Sequence, residues 1–392
     1  MMNTNRIALV AAILLIAINL RPAMASLGPL LDLIEHSSGL SSASAGLLTT
    51  LPVFLMGVGA LLGRPLRQFL GEVNGVTTGM FLVALACGSR VLHHSADGLL
   101  VSAVLVGVGI ALIQALLPSF IKKTSGARSS NMMALYSTGI MSGAAIAAAV
   151  TPRVSVQFGW EAALGIWVLP ALLALLIWWF FISEKSGSNR EQKKISRYSF
   201  WRNSRAWTLM LFFGVNTGAY TLILAWLPPF YVELGQDRKM AGDLLAGLTM
   251  TEVLSGLAIS ALVGKFHDRR PLLIAALFFT LAGLVVLHEY PLQMALLATI
   301  LLGLGIGALF PLSLILAMDH IDSPEMAADL AAFMQGGGYI IASFMPFLAG
   351  WVREEFASLS YAWEGMFIAT FMMGFLALRF SPSSYQKVLI RP

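Results

Sequence analysis

The chain has 392 residues, 57% of them hydrophobic and only 11% charged, with a mean hydropathy of +0.79. A soluble protein would carry about 25% charge and would lack repeated apolar runs of about 20 residues, the length that crosses a bilayer. The formal charge of +5 does not point to nucleic acid, because the basic residues fall between apolar segments and form no single face.

The first apolar run extends from Ile7 to Ile34 and carries Arg21 at its middle, with no acidic residue nearby before Asp32. A cation at bilayer depth costs on the order of 2.5–3.5 kcal/mol on the mildest scales, so it is a functional residue by default. Pro22 follows it directly. It has no backbone donor for the carbonyl of Ile18, so the helix is expected to bend where the charge sits. Asn19 and Arg21, two residues apart, would face the same way only across such a bend. Ala23-Met24-Ala25 imitates a signal-peptide cleavage site, but the apolar character continues to Leu31 and the run reads as a first span.

Further runs are centred near Met56, Val83, Gly107, Ala144, Leu172, Asn216, Glu252, Thr280, Gly305, Tyr339 and Phe371, giving twelve predicted helices. With a cytoplasmic amino terminus, nineteen Lys and Arg residues fall inside, whereas Arg90, Arg153, Arg238, Lys239 and Arg353 fall outside and Arg21 lies within the membrane. That bias predicts both termini in the cytoplasm of a bacterial inner-membrane protein. The polar stretch 184–205 is the only long interruption. It reads as a cytoplasmic connector, with an amphipathic turn near Tyr198 to Trp201, between helical bundles 1–183 and 206–392. Offsets of 196–198 residues relate Asn19 to Asn216, Gly107-Val108-Gly109-Ile110 to Gly303-Leu304-Gly305-Ile306, and Ala134-Leu135-Tyr136 to Ala332-Phe333-Met334. Duplicated halves with a site between them describe a secondary transporter. The fold class is therefore an all-α membrane protein: twelve transmembrane helices in two six-helix bundles related by a pseudo-two-fold axis.

Gly264-Lys265-Phe266-His267-Asp268-Arg269-Arg270 resembles the Gly-x-x-x-Asp-Arg loop of the major facilitator superfamily. That resemblance makes Asp268 and Arg269 candidate gating residues, set against the plainer reading of a surface ion pair. The first-half equivalent, Gly63-Arg64-Pro65-Leu66-Arg67, departs from the pattern, with Arg67 where the acid would stand. Along the whole chain the sequence also resembles the cyanate transporter group of that superfamily, which includes 2-nitroimidazole exporters. The strings that carry this are Asn19-Leu20-Arg21-Pro22, Ser26-Leu27-Gly28-Pro29-Leu30-Leu31, Gly107-Val108-Gly109-Ile110 with Gln114 and Pro118, Ala225-Trp226-Leu227-Pro228-Pro229-Phe230-Tyr231, Phe310-Pro311-Leu312 with Ala317-Met318-Asp319-His320, and Ala332-Phe333-Met334-Gln335-Gly336. The resemblance implies a monomer that moves cyanate or another small anion by alternating access, with helices one, four, seven and ten around a midplane cavity.

The residues themselves are compatible with an anion. A guanidinium offers five donors in a rigid fork and keeps its charge, so Arg21 can hold a small anion by charge-assisted hydrogen bonds. The alternative is that it snorkels or binds carbonyls between helices. Asn216 and Tyr220, and likewise Gln335, Tyr339 and Ser343, recur at a spacing of four and form polar stripes. Gln114 and Tyr136 stand alone, as cavity groups or as interhelical contacts. Glu252 is a second intramembrane ionisable group, a candidate proton carrier or a structural partner for Arg21. Import of an anion runs against the membrane potential, about 2.3 kcal/mol per charge per 100 mV, which favours proton symport. Trp226 is expected as an interfacial anchor and Cys87 as a packing residue.

Gly303-Leu304-Gly305-Ile306-Gly307 imitates a nucleotide loop but lies in an apolar span, where close helix packing explains it. His93 and His94 have no further ligands at metal spacing, and no Ser/His/Asp or Cys/His grouping shares one depth. No metal, cofactor or catalytic residue is expected, and an intramembrane enzyme is the remote alternative. The rival within transport is efflux of a neutral nitro-aromatic drug stacked on tyrosines and on Phe212 or Phe213.

Overall fold

The computed structural model describes residues 4–93, 95–182, 200–321 and 323–385. Most of the expected connector, 184–199, lies outside the described residues. The regular structure is helical: α1 (Thr4–Asn19), α2 (Pro22–Ala25), α3 (Leu31–Ser38), α4 (Ser42–Leu61), α5 (Gly63–Leu70), α6 (Glu72–Leu92), α7 (Ala96–Ser125), α8 (Ser129–Gly165) and α9 (Val168–Ile182), followed by α10 (Ser204–Glu233), α11 (Arg238–Leu262), α12 (Arg270–Glu289), α13 (Ala295–Asp319), α14 (Pro324–Phe356) and α15 (Ser360–Leu378). The starts are set by side-chain caps: Ser41, Ser95, Asn203, Asp237 and Ser323 each accept a backbone N–H two or three residues on.

Eleven stretches are long and apolar enough to span a bilayer. One of them, Asn131–Ile182, runs for 52 residues, about 78 Å at 1.5 Å per residue and so more than twice the hydrocarbon thickness. It turns back at Gly159, whose φ of 84° and ψ of 163° suit glycine alone. Counted as two, it brings the described residues to twelve crossings, α1 to α3 being one interrupted crossing and α5 burying no residue. An even number puts the first and last described residues, Thr4 and Tyr385, on one face, here the proximal face; the other is the distal face.

The two halves repeat one packing scheme. α4 and α6 flank α7 as α11 and α12 flank α13; α1 lies on α8 as α10 lies on α14; α9 lies on α6 as α15 lies on α12. Glycines permit the closest approaches. A Cβ on Gly109 would stand 2.6 Å from the Gly79 carbonyl oxygen, and one on Gly305 would stand 2.2 Å from Thr280 Oγ1. The Gly303-Gly305-Gly307 run is thus a packing surface. Between the halves, α4 packs along α14 and α8 along α11.

On the proximal face the start of α10 is tied to the ends of α13 and α15. Arg205 donates from Nε to His320 Nε2 at 3.0 Å, and from Nη1 and Nη2 to the Arg379 carbonyl at 3.2 and 3.1 Å. With Nε2 accepting, the other ring nitrogen, Nδ1, donates to the Leu316 carbonyl at 2.6 Å, so the imidazole is neutral. Burial, with the neighbouring guanidinium, pushes the His320 pKa down from 6.5 to about 4. The unfolded chain therefore takes up a proton that the folded chain refuses, and stability falls as pH drops from 6.5 towards about 4, by roughly 3 kcal/mol at most. Thermal unfolding of the detergent-solubilised protein should show this loss, and His320→Gln, which keeps a donor and an acceptor without titrating, should flatten it.

Candidate substrate-binding site

The first crossing is broken where its charge lies. Pro22 leaves the Ile18 carbonyl without its helical donor, so α1 ends at Asn19 and α2 begins anew at Pro22. The Ile18 carbonyl oxygen faces Gly143 of α8, where a Cβ would come within 2.0 Å. This break delivers Arg21 to the protein interior at 5% exposure. Its Nε has no hydrogen-bond partner, and among the described residues no carboxylate pairs with it. Its Cζ lies 5.5 Å from the centroid of the Tyr220 ring, within cation–π reach.

The charge of Arg21 acts on Tyr136 of α8, Tyr220 of α10, Glu252 of α11 and Tyr339 of α14, so these four side chains lie within its electrostatic range. All four are buried. The hydroxyls of Tyr136 and Tyr220, both carboxyl oxygens of Glu252, and both amide atoms of Asn216, one turn before Tyr220, have no hydrogen-bond partner in the protein. Buried polar atoms are nearly always satisfied, and leaving one bare costs about 1–3 kcal/mol. A concentration of them around an unpaired guanidinium fits a small polar ligand held between the halves. Phe213 closes one side, with its ring 5.5 Å from Tyr339 and 5.6 Å from Phe310. Phe212 turns away to meet Phe380 edge-to-face at 5.3 Å.

Of the other sequence candidates, Asn19, Ser343 and Trp226 are engaged in hydrogen bonds of their own. Asn19 is a helix contact, donating through Nδ2 to the carbonyls of Leu15 at 2.7 Å and Pro170 at 3.1 Å; the break rotates Arg21 away from it. Gln114 and Gln335 are half-buried, and among the described residues no hydrogen bond joins either to the Arg21 group. Crossing ten reaches the site through Phe310 of α13, while the glycines of α7 and α13 pack against their own half. Ser343 donates back to Ile340 at 2.7 Å. Trp226, expected at the membrane interface, is fully buried and donates to the Pro346 carbonyl at 2.8 Å.

Asp268 pairs within its own loop with Arg270 at 2.7 Å, and that partner holds its carboxyl below the usual carboxylate range. The link to a neighbouring crossing is made instead by Arg269, whose Nε donates to Asp319 at 2.6 Å. Sequence reasoning missed the pairs that join the halves. On the distal face Asp32 meets Arg238, Glu35 meets Arg353 at 2.8 Å, and Arg153 forks onto Asp243 with two bonds of 2.7 Å. On the proximal face the interhalf pair is Arg64 with Asp329. Opposite charges at matching depth in the two halves were the available signal.

A duplicated twelve-crossing bundle with an unpaired buried cation at the junction of its halves defines a membrane transporter. The profile of the Major Facilitator Superfamily matches residues 9–346 and 209–387. The chain is 38% identical over 383 residues to the cyanate transport protein of Escherichia coli, covering 97% of this chain and 98% of that one. It is 30% identical over 378 residues to the 2-nitroimidazole transporter of the same organism, covering 95% of each. Among solved structures, the inward-open xylose transporter of Escherichia coli superimposes with a TM-score of 0.75 at 13% identity, over 97% of this chain and 95% of that one. The chain belongs to the major facilitator superfamily.

The distal pairs are partly exposed, so removing two of them should cost about 1–2 kcal/mol of closure, roughly a tenfold change in the closed-to-open ratio. Spin labels on Ser41→Cys and Glu355→Cys, in a Cys87→Ser background, should report a longer-distance population once Asp32→Asn and Glu35→Gln are added. An unchanged distance distribution would remove these pairs from the gate.

Proposed function

We propose that this transporter carries a small monovalent anion, cyanate in the first instance, across the bacterial inner membrane by alternating access. The observation that carries the reading is Arg21, buried without a counter-charge among tyrosine hydroxyls and the Asn216 amide. The 38% identity to a cyanate transport protein supports the choice of anion. On this reading the proximal face is cytoplasmic, both termini lie inside, and, among the described residues, three distal interhalf pairs against one proximal pair correspond to an inward-facing state.

Arg21 and Glu252 belong to different halves and share one electrostatic neighbourhood without forming an ion pair. An ionised Glu252 would cancel the potential that attracts the anion; a protonated one leaves Arg21 free. Anion and proton therefore bind together, and their joint movement is electroneutral, which removes the opposing work of about 2.3 kcal/mol per charge per 100 mV. Tyr136, Tyr220, Tyr339 and Asn216 supply donors to the anion, and Arg269 with Asp319 holds the proximal loop through the cycle.

Counterflow of labelled cyanate in proteoliposomes tests this. Arg21→Gln should reduce it by about 100-fold or more, the loss of a charge-assisted fork in a dry site, with Arg21→Lys intermediate. Glu252→Gln should abolish pH-driven accumulation and preserve exchange; unaltered accumulation would take Glu252 out of the coupling. Efflux of a nitro-aromatic is favoured by the Phe213–Tyr339–Phe310 wall beside Arg21 and by the 30% identity to a 2-nitroimidazole transporter. Export of 2-nitroimidazole without cyanate counterflow would establish that reading instead.

A further inference from the structure

Arg90 lies near the distal end of α6, where a helix-flanking basic residue reads from sequence as a loop charge. In the fold it is 1% exposed. Its Nε donates to Ser102 Oγ of α7 at 3.0 Å and its Nη1 to the carbonyl of Ala23 at 2.7 Å, while Nη2 has no partner. Among the described residues no carboxylate pairs with it. A fully buried guanidinium that spends its short bond on a backbone carbonyl two residues beyond Arg21 calls for a reason.

The reason lies in the helix break. In a regular α-helix the N–H of Leu27 would donate to the Ala23 carbonyl, closing the i to i−4 bond. Here Leu27 N donates to Met24 at 3.1 Å, a tighter i to i−3 turn, and Ala23 is left to Arg90. A charged donor makes the stronger bond, so Arg90 displaces the helix's own N–H. The bonds of Ala25 N–H to the Arg21 carbonyl and of Ser26 N–H to the Pro22 carbonyl, both 2.9 Å, are regular, and the tightening comes at Met24–Leu27, where Arg90 holds the turn that follows Arg21. Ser102, itself held by donating to the Leu99 carbonyl at 2.7 Å, fixes the guanidinium from the side of α7.

We propose that Arg90 is a positioning residue for anion recognition: by holding the Ala23 carbonyl away from Leu27 it fixes the turn that presents Arg21 to the substrate. The inference rests on the reading of Arg21 as the anion-binding residue, and its test separates the two. Without Arg90 the turn relaxes to a regular α bond between Leu27 and Ala23, and Arg21 is carried round the helix axis away from Tyr220.

Two measurements on the reconstituted full chain decide it. In cyanate counterflow, Arg90→Met should raise KM about tenfold or more with the maximal rate within about twofold, as expected for a misplaced binding group. Arg90→Lys, which can still donate to Ala23, should recover most of the loss. The second measurement needs no substrate. In a Cys87→Ser background, the rate at which 2-sulfonatoethyl methanethiosulfonate labels Arg21→Cys should change at least about fivefold on adding Arg90→Met and return towards the starting value with Arg90→Lys. If Arg90→Met does not fold, Ser102→Ala, which loosens the same guanidinium while retaining it, should move KM and labelling in the same direction by a smaller factor. KM and labelling rate both unaltered by these variants, or a loss confined to the maximal rate that Arg90→Lys fails to rescue, would overturn the proposal. A wild-type protein that shows no cyanate counterflow, with labelling still governed by Arg90, would instead sink the choice of substrate and leave the positioning role standing.

Discussion

A guanidinium held in the middle of a membrane protein without a counter-ion needs a backbone that cannot carry it elsewhere. Here the first crossing is interrupted around Arg21, and each loose end of the interruption is met by a different helix. The Ile18 carbonyl that Pro22 cannot serve lies against Gly143, where any side chain would collide. The Ala23 carbonyl is taken by Arg90. Asn19, just before the break, is bound to α9 through Pro170. Crossings three, five and six of the first half thus hold one short segment in a conformation that a free helix would not keep, and Arg21 inherits that fixed position.

The titratable groups that feel the Arg21 charge come mostly from the other half: Tyr220, Glu252 and Tyr339, with Tyr136 alone from its own. A charge fixed to one rigid body and a polar lining fixed to the other form a complete site only when the bodies come together. The distal pairs divide in the same way. Arg353 bonds Glu35 across the junction and Glu233 within its own half, so separation of the halves would leave it with a carboxylate and avoid a bare buried charge. Individually such partly exposed pairs contribute little. The closure they accompany depends as much on backbone contact, since a Cβ on Gly46 would stand 2.5 Å from the Pro346 carbonyl oxygen and one on Gly350 would stand 2.3 Å from that of Ser42.

Much of this was legible in the sequence, for definite reasons. Hydropathy and the positions of the basic residues mark the spans, because a bilayer tolerates few alternatives to an apolar helix of fixed length. The bend at Pro22 and the isolation of Arg21 follow from local chemistry alone. What the sequence could not settle was rotation about each helix axis. Asn19 and Asn216 occupy equivalent places in the two halves, yet one serves two carbonyls and the other has no hydrogen-bond partner in the protein. Only the break after Asn19, with its consequences for register, separates them. Trp226 resembled an interfacial anchor until the Pro346 carbonyl supplied a buried acceptor. Asp268 and Arg269 are adjacent, but the partner that distinguishes them, Asp319, is 50 residues away. Arg90 was hidden by its position, since a helix end near a loop is where a solvated charge is ordinarily found.

The placement of one base-like and one acid-like group on opposite halves also bears on why the site should prefer a small anion over a large or doubly charged one. Dehydrating an ion is the main cost of bringing it to bilayer depth, and that cost rises steeply with charge. A single guanidinium and a few hydroxyl and amide donors can replace the water around a compact monoanion. They cannot neutralise a second charge, because among the described residues Arg21 is the one cation of the group and its other ionisable side chains, the tyrosines and Glu252, carry no positive charge. The same carboxyl sets the rule for the empty carrier. On the proposed coupling, once the anion has left, an ionised Glu252 would balance the charge of Arg21 without bonding it, so release of the substrate and of the proton would leave a site that is neutral overall. A site that is neutral both loaded and empty can reorient without moving net charge through the low-dielectric centre of the membrane.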